Sequence, residues 1–455
     1  MSAKRELIKN LYRILFKYDE NARLNLFQAF PAIKRFFVER RNLLYIRTFG
    51  DISFVLLIVM GIFGPQEPHK NAMLFLSWGI WWTSVVLSWF FVGKLWCAFC
   101  PFPGLGRLLQ GAGLTLNLKV PTFFQKYCTY LSVILLAIII YIEAVTDMKT
   151  WPAGTAYLLL SIILGATFSG LIFTGQSWCR HLCPMGKMIG VASTISMSEF
   201  RPDRTVCKTC KTFSCKKGRD GIPGCPVYLG AYNVRNNLYC LVCGRCITLC
   251  ESDSPRINIR NPFIELIINK GRHLTCSYVI PFLMGSQIAR FIQHKAWYND
   301  IVAIFFSSKW LTFSILLLLC FVFFVILTRF GSRLFGLRED EVFGRFSPMV
   351  PVLVPLAFTG ELVYRLEYFL TNLGDFLPTL GRQFGFDLSH LYFSVPPTVV
   401  NFTCLLLLIV GVLSCSYVLH RFNVGDFEGL IKKGNLILLQ IIVLFVFAGY
   451  AVFYY

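Results

Sequence analysis

Charge is scarce in this sequence, and negative charge is the scarcer sign. Of 455 residues only 15% are Asp, Glu, Lys or Arg, with 24 acids against 44 bases and a net charge of +20. Soluble domains carry about 25% charged residues, so the composition argues against a soluble globular enzyme. With 55% hydrophobic and 16% aromatic residues, it also excludes intrinsic disorder. Histidine is scarce too. The six (His69, His181, His273, His294, His390 and His420) do not pair within two spans at mid-depth as a bis-histidine haem requires, and C-x-x-C-H is absent. No haem is expected. No cleavable signal peptide is visible. A strong positive charge suggests nucleic acid in a soluble protein. In so apolar a chain it marks cytoplasmic loops and contact with anionic lipid instead, and no nucleic-acid role is expected.

What the chain does have is long apolar runs. A helix needs roughly 20 apolar residues to cross the hydrocarbon, and nine stretches qualify: about 48–64, 72–92, 128–145, 155–174, 273–292, 310–328, 348–371, 398–419 and 435–455. The first is weakened by Asp51, the fifth by Ser277, Ser286, Gln287 and Arg290. The fold class expected is an all-α polytopic membrane protein of about nine helices. Its parts are a basic amphipathic segment (1–47), a four-helix membrane domain (48–199), an inserted ferredoxin-type domain (200–262) and a C-terminal membrane domain of about five helices (273–455). Eleven Lys or Arg fall between Lys4 and Arg47, whereas the expected outside loops hold only Lys70, Lys149, Lys295, Lys309 and Arg382. The positive-inside rule therefore predicts a multi-pass protein of a bacterial inner membrane, with the N-terminus and residues 200–262 in the cytoplasm. The N-terminal apolar residues (Leu11, Ile14, Leu15, Leu24, Phe27, Phe30, Phe36 and Phe37) read as interfacial helices on anionic headgroups, with a partner-docking arm as the alternative.

Twelve of the 17 cysteines fall in two places. Segment 200–262 reads Cys207-x2-Cys210-x4-Cys215-x9-Cys225-Pro226, then Cys240-x2-Cys243-x2-Cys246-x3-Cys250. The second run is the usual iron–sulfur spacing. A tight turn reaches three irons of a cubane, and a fourth thiolate arrives from elsewhere in the chain. In two-cluster ferredoxins the fourth cysteine of each run ligates the other cluster. That rule groups Cys207, Cys210, Cys215 and Cys250 at one 4Fe-4S cluster, and Cys240, Cys243, Cys246 and Cys225 at a second. Two features depart from the usual run: the four-residue gap before Cys215, and Cys250 followed by Glu251 instead of proline. Structural zinc is the alternative for eight thiolates, though zinc ribbons usually show two C-x2-C pairs separated by a longer loop.

The second place is a repeat at the ends of spans two and four. It reads Gly93-Lys94-Leu95-Trp96-Cys97-Ala98-Phe99-Cys100-Pro101 with Gly104, and Gly175-Gln176-Ser177-Trp178-Cys179-Arg180-His181-Leu182-Cys183-Pro184 with Gly186. The copies lie 82 residues apart and each follows a pair of spans, which points to an internal duplication. Cys97, Cys100, Cys179 and Cys183 are candidates for a third cluster, a soft metal ion or redox thiols. Cys128, Cys276, Cys320, Cys404 and Cys415 lie singly in apolar stretches and read as packing residues.

Helix pairs ending in closely spaced Cys and Cys-Pro, followed by a two-cluster ferredoxin run, resemble the membrane-bound 4Fe-4S polyferredoxins over about residues 45–262. That family includes a quinol-dehydrogenase component associated with nitrate reduction, a regulator of nitrous oxide reductase and copper-handling maturation factors. The first repeat departs from the family pattern, with two residues between its cysteines instead of three. The resemblance implies single-electron transfer between a membrane donor, a quinol, or a soluble carrier and a redox protein partner, as a component of an oxidoreductase system. A copper reductase or cofactor-maturation factor is the alternative. Segment 200–262 carries eleven Lys or Arg against Asp203, Asp220, Glu251 and Asp253. Such a surface suits an acidic carrier or lipid headgroups, and equally a solvated inside loop. A membrane thiol oxidoreductase fits less well, because these thiols are predicted on the reducing side. A transporter rests only on Glu361 and Arg365 in span seven, which suit a structural ion pair as well. The topology has a direct check: a reporter fused after Asn261 is expected to be active in the cytoplasm, and activity confined to the periplasm would reverse the orientation.

Overall fold

The computed structural model describes residues 2–15, 22–268, 274–305, 307–335, 349–424 and 433–455. Much of the basic stretches 329–346 and 420–433, with Lys17, His273 and the side chains of Leu15 and Cys276, lies outside the described residues. The fold is all-α and polytopic. Among the described residues eight helical runs are long and apolar enough to cross a membrane: Arg41–Phe63, Phe75–Gly111, Thr122–Val145, Pro152–Ile172, Lys309–Leu334, Met349–Phe384, Pro397–Phe422 and Gly434–Tyr454. The count is one fewer than the nine expected. The stretch at 273–292 does form a helix, Leu274–Gln293, but its polar residues keep it below the apolarity of the other eight. Ser286, Gln287 and Arg290 are all fully buried, so they face other helices.

The chain divides into two compact units. The first comprises residues 1–56, 88–132 and 159–265. Its small antiparallel sheet pairs Ser198–Pro202 with Pro255–Ile259, placing Phe200 opposite Ile257, and Leu24–Asn25 adds to the other edge of Pro255–Ile259. Phe200 and Ile257 share a core with Val234, Ile247, Phe27, Phe37 and Leu43. The N-terminal apolar residues therefore do not all face headgroups. Leu24, Phe27 and Phe37 are buried, and Ile14 is fully so, its carbonyl accepting from Asn261 Nδ2 at 2.6 Å. The physical reason is that segment 200–262 offers few apolar residues of its own, and the short helices Leu26–Ala29 and Pro31–Val38 complete its core.

Buried charges link this sheet to the membrane-exit turn. Arg260, 1% exposed, pairs with Glu265 at 2.6 Å and Glu199 at 3.4 Å, and donates to the carbonyls of Thr194 and Ser196. Arg201 pairs with Glu265 at 2.9 Å, and Arg23 with Glu199 at 2.8 Å.

The second unit comprises residues 57–87, 133–158 and 266–455. Met349–Phe384 is its interior helix, 94% buried over its apolar stretch, whereas no other spanning run exceeds 44%. The expected Glu361–Arg365 pair forms at 3.0 Å and is part of a longer chain. Arg365 also reaches Glu143 at 2.9 Å, and Arg290 reaches Glu361 at 2.7 Å. Gln287 donates to the Ala357 carbonyl at 2.9 Å and accepts from the Tyr450 hydroxyl. Two guanidiniums and two carboxylates leave no net charge inside the apolar bundle, and pairing of this kind is what such depth requires.

Burial alone would raise the Glu199 carboxyl, but Arg201, Arg260 and Arg23 more than reverse this, and the group sits below its ordinary value. A carboxylate held below its unfolded value of about 4.3 contributes stability that is present above that pH and lost as pH falls through the folded value. Glu199→Gln is therefore expected to destabilise the protein at neutral pH by about 3 kcal/mol. The penalty should shrink between about pH 5 and about pH 3, where wild type loses the same contribution. Thermal unfolding midpoints in detergent across that range check both points.

Candidate metal centre

The two Trp-Cys repeats fold alike. The first leaves its span through Gly93 at φ +57°, turns through the short helix Trp96–Phe99 carrying Cys97, and stops at Cys100 with ψ 127°. The second leaves through Gly175 at φ +64°, turns through Trp178–Leu182 carrying Cys179, and stops at Cys183 with ψ 112°. The following proline disfavours helical geometry at each second cysteine, which is why the turn ends there. Both glycines occupy left-handed backbone that other residues rarely adopt. A Cβ would also stand 2.9 Å from Ser196 Oγ at Gly93 and 2.6 Å from the Pro226 carbonyl at Gly175. The spacing difference is absorbed locally. The first turn is α-helical over four residues, and the second is π-helical over five. A π turn accommodates one extra residue, so both second cysteines reach the same capping position.

The four thiols of the repeats fall together. Cys100 lies within electrostatic reach of Cys97, Cys179 and Cys183, and Cys179 within reach of Cys183 and Cys97. Burial pushes the thiols of Cys179 and Cys183 up, and the Gly186 N–H, donating to Cys183 Sγ at 3.2 Å, opposes this at Cys183.

The ferredoxin-type cysteines interact electrostatically within and between the two expected sets. Cys246 interacts with Cys243, Cys240 and Cys225, and more weakly with Cys215; Cys240 and Cys243 each interact with Cys225. Cys215 interacts with Cys207 and Cys250. Cys210 is half-buried like the rest of its run, and its charged neighbour of note is Glu251. Burial pushes Cys240 up to about 12 and raises Cys243, Cys246 and Cys215. Backbone donation from Phe213 and the Thr212 hydroxyl instead lower Cys210. Buried thiols of this kind release their protons as metal binds. Backbone N–H groups already point at two sulfurs at 3.4 Å, Val242 at Cys240 and Ser254 at Cys250. Among the described residues no group of three or more His, Cys, Asp or Glu is arranged to hold a metal ion. A single zinc draws its sulfurs to about 2.3 Å from one point, whereas a cubane spreads four irons over its corners and its thiolates stand further apart.

Two cations, the buried Lys94 and the half-buried Arg47, join the repeat thiols to the second ferredoxin set. Lys94, 5% exposed, donates from Nζ to the Leu238 carbonyl at 2.6 Å, and its charge reaches Cys97, Cys179, Cys183 and Cys240. Arg47 donates from Nε to the Ala98 carbonyl at 2.7 Å and from Nη2 to the Cys243 carbonyl at 3.2 Å. One signal for Lys94 was present: at its place in the second repeat stands Gln176. Of the cysteines read as packing residues, Cys404 and Cys415 are buried and Cys320 is half-buried. Cys128 Sγ lies 4.0 Å from the buried Lys187 ammonium, so it is not in a purely apolar setting.

Comparison with known proteins falls on the repeats themselves. The family described as "4Fe-4S binding domain" matches residues 74–118 and 155–195, one Trp-Cys repeat in each stretch. Over these stretches the chain is similar to the 4Fe-4S polyferredoxins. It is 22% identical over 182 residues to the ferredoxin-type protein NapH of Escherichia coli (strain K12), and 26% identical over 177 residues to an uncharacterized protein of Methanocaldococcus jannaschii. Each match covers 37% of this chain, with 62% and 65% of the respective relatives, so the chain spans less than two thirds of their length. No solved structure matches.

The position of Lys94 gives this polyferredoxin-like chain a measurable electrostatic signature. A cluster held by four thiolates is anionic, so a buried ammonium beside it favours the reduced form. Lys94→Met is expected to lower the midpoint potential of a flanking cluster by on the order of 60 mV, a tenfold change in the reduced fraction at fixed poise. Lys94→Arg should keep it. Redox titration followed by EPR makes the measurement.

Proposed function

We propose that this chain is a membrane-anchored iron–sulfur electron carrier that passes single electrons between a membrane donor, a quinol, or a soluble carrier and a redox protein partner. The observation that supports the reading is that Cys97, Cys100, Cys179 and Cys183 lie within electrostatic reach of one another, and that Lys94 reaches both them and Cys240 of the second set. Lys94 and Arg47 lie between the two groups. When bound, the 4Fe-4S clusters supply one-electron redox chemistry. The chain's own residues do the rest. Cys207, Cys210, Cys215 and Cys250 hold one cluster, Cys225, Cys240, Cys243 and Cys246 a second, and Cys97, Cys100, Cys179 and Cys183 a third. The family match at both repeats supports the third site. The N-terminal helices and Phe200, Ile247 and Ile257 keep water from Cys215, Cys240 and Cys246, which pack on that core. Val242, Ser254 and Gly186 donate backbone hydrogen bonds that tune the sulfurs. The Lys and Arg surrounding the ferredoxin-type cysteines suit an acidic soluble partner.

The N-terminus and residues 200–262 face the cytoplasm in this reading, in a bacterial inner membrane. Likeness to a ferredoxin-type protein supports the electron-carrier reading over a copper-handling role.

Iron and acid-labile sulfide in anaerobically purified full-length protein test the proposal. About twelve irons are expected for three four-iron clusters and about eight for two. Cys97→Ser with Cys179→Ser should remove about four irons and leave the ferredoxin signals. Cys243→Ser should remove one cluster and weaken the Cys207 set through the shared core. Zinc without iron, or full iron content in the Cys243 variant, would overturn the assignment.

A further inference from the structure

Where the run Pro152–Ile172 ends and Thr122–Val145 begins, the first unit has a cavity of about 240 Å³ lined by Lys119, Arg180, His181, Gln125, Gln176 and Tyr228 among others. Three basic residues line it and no carboxylate does. Among the described residues neither Lys119 nor Arg180 forms an ion pair with a carboxylate. His181, 7% exposed, lines the cavity, and its side chain makes no hydrogen bond to any described residue.

The same stretch carries apolar surface. Leu116, Leu118 and Phe123, adjoining Lys119 in sequence, are 68%, 51% and 56% exposed. Leu118 is held in place by backbone hydrogen bonds to Ile172 and Thr174. A basic cavity at the end of two spanning helices, flanked by exposed apolar side chains, matches an anionic phospholipid: phosphate in the cavity, acyl chain on the apolar residues.

We infer that this cavity binds the phosphate group of an anionic phospholipid. Lys119 and Arg180 supply the charge, and His181, Gln176 and Tyr228 supply hydrogen bonds. Arg180 and His181 lie between Cys179 and Cys183, and the Pro226 carbonyl in the cavity wall accepts from Gln176 N–H at 2.9 Å. An occupied cavity therefore steadies the backbone that carries thiols of both the repeat and the Cys225 set. The inference does not depend on how many clusters the protein holds.

The test uses full-length protein in an uncharged detergent, followed by thermal unfolding. Three probes are titrated in turn: dioleoylphosphatidylglycerol, dioleoylphosphatidylcholine and inorganic phosphate. Phosphatidylglycerol is expected to raise the unfolding midpoint saturably, and the other two to leave it unchanged. Lys119→Gln with Arg180→Gln, both exposed positions that leave packing intact, should need at least tenfold more phosphatidylglycerol for the same shift. Native mass spectrometry should show one fewer retained phosphatidylglycerol on the double variant. An equal response to phosphatidylcholine would reduce the effect to apolar contact, and an equal response to inorganic phosphate would make the ligand a free anion. Either result, or an undiminished response in the double variant, overturns the inference.

Discussion

Thiolates gathered where water is excluded need positive charge close by, and in this protein Lys94 and Arg47 provide it. Each does two things at once. Each satisfies backbone carbonyls that would otherwise be buried unpaired, Leu238 for Lys94 and Ala98 and Cys243 for Arg47. Each also brings a cation among sulfurs whose loaded form is anionic. The loop holding Cys240 and Cys243 is thus tied to the first repeat by the same groups that balance its charge. Removing either cation disturbs placement and electrostatics together.

The second unit meets the same constraint without a cofactor. Its buried chain of Glu143, Arg365, Glu361 and Arg290 is neutral by its own composition. It joins the helices Thr122–Val145, Met349–Phe384 and Leu274–Gln293 through side chains alone. The first unit carries cations that call for anionic partners, while the second is self-balanced. All twelve clustered cysteines fall in the first unit, and the cysteines of the second stand singly.

Local chemistry was legible in the sequence. Cysteine spacing marked segment 200–262 and the two membrane-exit turns as the places where thiols gather, because a cubane constrains residues only a few positions apart plus one return. The Trp-Cys-Pro repeats were visible as repeats, and their glycines prove to be the two left-handed positions leaving the spans. What escaped the sequence was pairing across distance. Nothing near Arg47 announces Ala98 and Cys243 as its partners, and Glu143 shows no sign of Arg365, 222 residues later. The N-terminal segment misled for a related reason: an amphipathic stretch needs an apolar surface, and the sequence does not say whether lipid or protein provides it. Helix Leu274–Gln293 is less apolar than the other eight runs because Gln287 and Arg290, which read as minor blemishes in the sequence, are hubs of the buried network.

The π-helical turn at Trp178–Leu182 makes the two repeats interchangeable despite their unequal lengths. One extra residue in an α-helix ordinarily rotates everything after it by about 100°, which would swing Cys183 away from its companions. Widening one turn confines the difference to five residues, so the Cys-Pro stop falls at the same point of both turns.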